Sequence, residues 1–323
     1  MLDSVSLFAP AATREFGARV AGALGVRLSA SEEREFGDGE HKMRPLESVR
    51  QKSVYVIQSM HGDAAGSPND KLCRLLFFIG ALKDAGARCV TACVPYLAYA
   101  REDRCTEARD PVTTRYIAQL IESVGTDRVI TLDVHNLAAF ENAFRCETVH
   151  VRAADYFVQR LAVTAAVGDL VVASPDIGGI KRARHFQECV QAATGHAVGV
   201  GFMDKKRSGD VLSGEIFVGD VTAKRVILVD DLVSSGSTLL RAAAACRKAG
   251  AMRVEGAVTH ATFAAQAARL FGPEGLDSLT VTDSVALAAD FAGNLNRSLH
   301  VLAIAPLFAE TIRRLEHSDP ATS

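Results

Sequence analysis

A two-domain α/β protein with largely parallel sheets is what this sequence predicts, and three observations carry that reading. Short apolar runs rich in β-formers alternate with longer helical patterns. The order strand, loop, helix, strand recurs at fixed spacing. The chain has 323 residues, about two domains by the usual length prior.

Taken in order, the strands fall at 54–57, 89–94, 129–132, 170–173, 226–229, 253–258 and 299–303. Helical patterns cover 71–85, 113–123, 153–165 and 239–249, each ending near Gly or a polar cluster. Strands joined by helices run parallel, and ligands then bind at their carboxyl ends. The recurrence is specific. Leu75-Leu76 leads to Ala85-Gly86-Ala87 and then Val94; Leu239-Leu240 leads to Ala249-Gly250-Ala251 and then Val258, with the same intervals. Two related halves explain this economically. The predicted domains are 1–150 and 151–323, divided where Cys146-Glu147-Thr148-Val149 passes into a new helix.

Composition narrows the class. At 48% apolar residues the chain can bury substantial cores, and a net charge of −2 implies no nucleic-acid partner. No apolar stretch approaches a membrane span, and the first twenty residues lack a signal-peptide pattern. Seven Cys with no Cys-x-x-Cys pair fit a reducing, cytoplasmic location. Cys89 and Cys93 are expected as small apolar packing residues.

The strongest local signal is Val226-Ile227-Leu228-Val229-Asp230-Asp231-Leu232-Val233-Ser234-Ser235-Gly236-Ser237-Thr238. An apolar strand runs into two carboxylates, a hydroxyl-rich turn and a helix. The turn can aim N–H groups and hydroxyls at a phosphate, with the helix dipole behind them. The acids repel phosphate but accept from sugar hydroxyls, so the pair of features suits a ribose phosphate. An ordinary capped strand-to-helix turn would look similar. Asp204-Lys205-Lys206-Arg207-Ser208-Gly209-Asp210 reads as a loop able to close over anionic oxygens, or as a solvated charge run. Ser174-Pro175-Asp176-Ile177-Gly178-Gly179 allows close backbone approach and offers a carboxylate to Mg²⁺, though a plain turn has the same composition. Asp133-Val134-His135-Asn136 ends a strand with polar groups. Pro95-Tyr96-Leu97-Ala98-Tyr99-Ala100-Arg101-Glu102-Asp103-Arg104 could stack on a purine and grip phosphates. Phe36-Gly37-Asp38-Gly39-Glu40 sets an aromatic between acids and glycines.

Together these motifs, in this order from about Phe36 to Arg314, resemble the phosphoribosyl pyrophosphate synthetase (ribose-phosphate diphosphokinase) family. Asn69-Asp70-Lys71-Leu72 and Val281-Thr282-Asp283-Ser284 add to the likeness. The resemblance implies two similar type I phosphoribosyltransferase-like domains, each a largely parallel sheet flanked by helices. It implies transfer of the pyrophosphoryl group of ATP to the 1-hydroxyl of ribose 5-phosphate, with Mg²⁺, in a homo-oligomer that is at least a dimer or else a hexamer. By position, Lys205 and Arg207 would be catalytic. Asp230, Asp231, Ser234, Ser235, Gly236, Ser237 and Thr238 would hold ribose 5-phosphate. Phe36, Asp38, Gly39 and Glu40 would reach a neighbouring subunit's ATP, Arg101 and Glu102 the chain's own ATP, and His135 and Asp176 the Mg²⁺.

The sequence departs from the family at four of these places. Glu102 stands for a usual Gln, Ser234 for Asp, Ser237 for Gly or another small residue, and Asn136 for Ala. Two other readings share some motifs: a non-catalytic regulatory paralogue, and a nucleobase phosphoribosyltransferase that would need only one domain and the 230–238 loop.

Overall fold

The computed structural model describes residues 4–162, 169–208, 211–294 and 298–318. The chain forms two compact units, Met1–Val151 with Ala303–Ser323, and Arg152–Leu302.

The first unit opens with β1 (Val5–Phe8), α1 (Arg14–Leu24) and an antiparallel hairpin of β2 (Ser31–Glu35) and β3 (His41–Pro45). It continues through β4 (Ser53–Ile57), α2 (Pro68–Asp84), β5 (Cys89–Val94) and α3 (Thr113–Ser123). β6 (Arg128–Leu132), α4 (Leu137–Ala143) and β7 (Glu147–Val151) follow. Five strands pair in parallel in the order β1-β4-β5-β6-β7. Every residue of β4 is buried, as is all of β5 except the half-buried Cys89, which is why both read as unbroken apolar runs. α2 starts where Ser67 Oγ accepts from Asp70 N (3.2 Å) and Asp70 Oδ2 accepts from Ser67 N (2.8 Å), with Pro68 in the first turn. It buries Leu75, Phe78, Ile79 and Leu82 and stops at Gly86, in the left-handed region at φ +85°.

The second unit runs from α5 (Ala154–Ala162) through β8 (Leu170–Ser174), α6 (Ile180–Thr194), β9 (Gly199–Ser208) and β10 (Val211–Val218). β11 (Arg225–Val233), α7 (Ser237–Lys248), β12 (Arg253–Ala261), β13 (Ser278–Thr282) and β14 (Leu299–Leu302) complete it. Its sheet has the order β10-β9-β8-β11-β12-β13-β14, parallel except for the β9/β10 hairpin. The chain leaves β8 for β9 on one side and later returns to β11 on the other. That reversal opens a crevice at the carboxyl ends of β8 and β11.

The proposed repeat has a structural counterpart. β4–α2–β5 and β11–α7–β12 end their helices alike: Gly86 and Gly250 sit at φ +85° and +90°, and Ala87 N and Ala251 N donate back to Leu82 O and Cys246 O at 3.1 and 3.0 Å.

Three expectations change. β11 extends to Val233, so Asp230 and Asp231 lie within the strand, not beyond it. The 204–210 segment is not a loop up to residue 208. It is the outer part of β9, paired with β10 so that Lys205 faces Glu215 and Arg207 faces Leu212; residues 209 and 210 lie outside the described residues. The last helix, α8 (Ala305–Ser318), belongs to the first unit rather than to a second half running to 323. Phe308 packs edge-on against Phe16 at 5.8 Å, and Glu316 accepts from the buried Tyr55 hydroxyl at 2.6 Å. The helix predicted over 153–165 is described as far as 162. No helix among the described residues is long and apolar enough to cross a membrane.

Candidate active site

At the carboxyl end of β11, Asp231 is buried and Asp230 half-buried. Arg182, from the first turn of α6, reaches both: Nη1 lies 3.1 Å from Asp230 Oδ1 and Nη2 2.9 Å from Asp231 Oδ1. Asp230 Oδ1 also accepts from the Asp231 amide at 2.9 Å. Burial and the neighbouring Asp231 charge push the Asp230 carboxyl well above the usual carboxylate range, and the Arg182 guanidinium opposes them. Nothing in the sequence alone singles out Arg182. The available signal was its place three residues after the Gly178-Gly179 pair that precedes a helix.

The turn after Val233 leads into α7 through Gly236, at φ +76°. A Cβ there would come within 2.7 Å of Leu270, so both backbone conformation and space require glycine. Gly236, at the N-cap of α7, has no side chain to cap the helix; Ser235 Oγ instead accepts from Ser237 N at 3.4 Å and lies 3.1 Å from the Ser237 hydroxyl. Ser234, Ser235 and Thr238 are half-buried and Ser237 is exposed. The expected 230–238 cluster is therefore assembled locally. On the adjacent strand β8, Ser174 Oγ donates to Asp176 O at 2.6 Å and Asp176 Oδ1 accepts from Gly179 N at 3.0 Å. This fixes the turn and leaves the Asp176 carboxyl exposed. β9 carries Lys205 and Arg207 on backbone alone; their side chains lie outside the described residues.

In the first unit, Phe36, Asp38, Gly39 and Glu40 form the exposed tip of the β2/β3 hairpin, closed by Phe36 N donating to Glu40 O at 2.9 Å and Gly39 N to Phe36 O at 3.0 Å. Arg74 of α2 holds the hairpin through Glu35 at 2.6 Å, and His41 pairs with Glu33 at 2.9 Å. Arg101 and Glu102 are exposed after β5. The backbone of this loop is pinned to α3, where Thr114 Oγ1 donates to Tyr99 O at 2.8 Å. His135 is exposed after β6, beside Asp133 at φ +37°. Asn136 caps α4 through Ala139 N at 3.3 Å and donates to Asp103 Oδ2 at 2.6 Å, which ties the loops after β5 and β6 together.

No group of three or more metal-ligating side chains stands together among the described residues. The donor set fits Mg²⁺ only where substrate phosphates supply most of the coordination, the usual arrangement for this ion. Asp176 suits it with an exposed carboxylate; the His135 nitrogen suits an oxygen-preferring ion less well.

Two parallel-sheet units, one gathering acids, hydroxyls and a helix start at its switch point, define a class of α/β protein built to take a ligand at strand ends. Residues 5–125 match the N-terminal domain of ribose phosphate pyrophosphokinase, and residues 147–322 match the phosphoribosyl synthetase-associated domain. The chain is 34% identical to ribose-phosphate pyrophosphokinase 1 of Streptococcus pneumoniae, over 98% of this chain and 96% of that one. It is 33% identical to the ribose-phosphate pyrophosphokinase of Wolinella succinogenes, over 98% and 97%. The crystal structure of phosphoribosylpyrophosphate synthetase from Mycobacterium smegmatis superposes with a TM-score of 0.87 at 32% identity, covering 97% of this chain and 99% of that chain. The chain belongs to the ribose-phosphate pyrophosphokinase family and is an enzyme of that class, with two phosphoribosyltransferase-like domains.

Proposed function

We propose that this enzyme transfers the pyrophosphoryl group of ATP to ribose 5-phosphate. The acceptor's 1-hydroxyl attacks the β-phosphorus, the bond from that phosphorus to the α,β-bridging oxygen breaks, and AMP leaves. The observation that carries this reading is the junction of Asp230 and Asp231 with the hydroxyl-lined start of α7. Carboxylates there accept from sugar hydroxyls, while backbone N–H groups and the hydroxyls of Ser234, Ser235, Ser237 and Thr238 meet the 5-phosphate. A single module thus distinguishes the two ends of one sugar phosphate.

Lys205 and Arg207 are assigned to balance charge on the group in transfer, since phosphoryl transfer is accelerated chiefly by positioning and electrostatics. Arg101 and Glu102 are assigned to the ATP of their own chain, and Phe36, Asp38, Gly39 and Glu40 to that of a neighbouring subunit, which requires a homo-oligomer. Asp176, with His135, would hold Mg²⁺, which offsets charge on the phosphate oxygens when bound. Incubation with ribose 5-phosphate, ATP and Mg²⁺ should release AMP in equal amount to phosphoribosyl pyrophosphate. Absence of AMP from correctly folded, assembled protein would reject the reaction and leave the regulatory-paralogue reading.

A further inference from the structure

We propose that Arg182 is a positioning residue for the acceptor sugar, holding the Asp230–Asp231 pair as a two-carboxylate receptor for the ribose hydroxyls. This rests on the assignment of that pair to ribose 5-phosphate. Successive side chains on a strand point to opposite faces, so adjacent acids do not by themselves converge on one ligand. Here they converge on one guanidinium, whose two terminal nitrogens take Oδ1 of each acid at 3.1 and 2.9 Å. With Asp230 Oδ1 also occupied by the Asp231 amide, Oδ2 is the Asp230 oxygen left for a hydroxyl.

The approach of α6 is built for this contact. A Cβ on Gly179 would stand 2.4 Å from Ser174 Oγ and 3.5 Å from Arg182 Nη1, so the glycine lets the first turn of α6 close over the end of β8. Charge supplies the second argument. Two carboxylates side by side and largely out of water favour a shared proton, and a protonated acid is a poorer acceptor for sugar hydroxyls. The guanidinium opposes that proton without titrating itself. A lysine would be a point charge, unable to span two acids in a fixed plane.

The test compares Arg182→Gln and Arg182→Lys with Asp230→Asn and Asp231→Asn. Binding of ribose 5-phosphate and of 2-deoxyribose 5-phosphate is measured by calorimetry without ATP, and steady-state kinetics are run alongside. Arg182→Gln should weaken ribose 5-phosphate at least about tenfold, as for a lost charge-assisted bond, and leave KM for ATP within about twofold. Preference for ribose over the 2-deoxy sugar should shrink, because the residue acts through the groups that read the hydroxyls. Arg182→Lys should show the same pattern more weakly, and decides the matter if the Gln variant does not fold. Equal losses for both sugars, or no loss, would overturn the role of Arg182. If both Asn variants bind ribose 5-phosphate normally, the assignment of the acidic pair itself falls.

Discussion

Lys205 is the residue whose chemistry makes the sharpest demand on the proposed reaction. If it stabilises charge that develops only in the transition state, Lys205→Ala should lower kcat by roughly two to four orders of magnitude with little change in ribose 5-phosphate binding. A near-normal kcat would remove the β9 hairpin from the chemistry. Glu102 makes the opposite demand. Its side chain is exposed and forms no ion pair among the described residues, and we expect it to point away from the triphosphate. Glu102→Gln should then leave kcat nearly unchanged and shift KM for the nucleotide by less than about tenfold. A gain in ATP affinity that fades as salt rises would place the carboxylate at the phosphates. His61 belongs to stability rather than catalysis. It is buried beside Asp63, with Nε2 2.9 Å from Oδ2, and Lys71 pairs with the same oxygen at 2.7 Å. Burial, and then the Lys71 charge, hold its pKa down at about 4 against 6.5 for an ordinary histidine. Between those values the unfolded chain binds a proton that the folded chain does not, so stability falls as pH falls through that window. The loss should be on the order of 3 kcal/mol. Urea titrations at pH 7 and 4.5 should show a smaller drop for His61→Gln than for the parent.

At the scale of elements, the turn from β11 into α7 depends on Gly236. Gly236→Ala places a side chain at φ +76° and within 2.7 Å of Leu270. A left-handed alanine costs about 1–2 kcal/mol before any clash, so both thermal stability and ribose 5-phosphate affinity should fall; unchanged values for both would show that the turn relaxes freely. The elements most legible in the sequence were those buried on both faces. β4, β5, β8 and the first part of β11 each appear as an apolar run, and α2 and α7 as helical patterns closed by Ala-Gly-Ala. The hairpin strand β2, Ser-Glu-Glu-Arg-Glu, gave no such signal because none of its residues is fully buried. The charge run at 204–207 masked β9, since strand pairing there is set by the partner β10 and not by alternation of apolar residues. The site was legible to the same degree. Motifs confined to one strand end, such as 230–238 and 174–179, could be read as units. Arg182 could not, because its pairing with Asp230 and Asp231 is made across two elements 48 residues apart.

For the whole molecule, the proposed assembly has its own measurable consequence. If the hairpin tip with Phe36, Asp38 and Glu40 completes a neighbour's ATP site, specific activity should fall on dilution below the subunit dissociation constant. Mixing Lys205→Ala chains with Phe36→Ala chains should restore part of the activity, since some sites then receive both intact elements. No recovery in confirmed hetero-assemblies would count against a shared site.

The return of α8 to the first unit has a consequence for synthesis. A ribosome delivers the chain from its amino end, and domains commonly fold as they emerge. Here the second unit ends at Leu302, whereas the first still needs Phe308 against Phe16 and Glu316 beneath Tyr55. The part of the protein made first is thus the part finished last. A chain ending at Leu302 and released from the ribosome should hold a protease-resistant second unit and a first unit still open to cleavage.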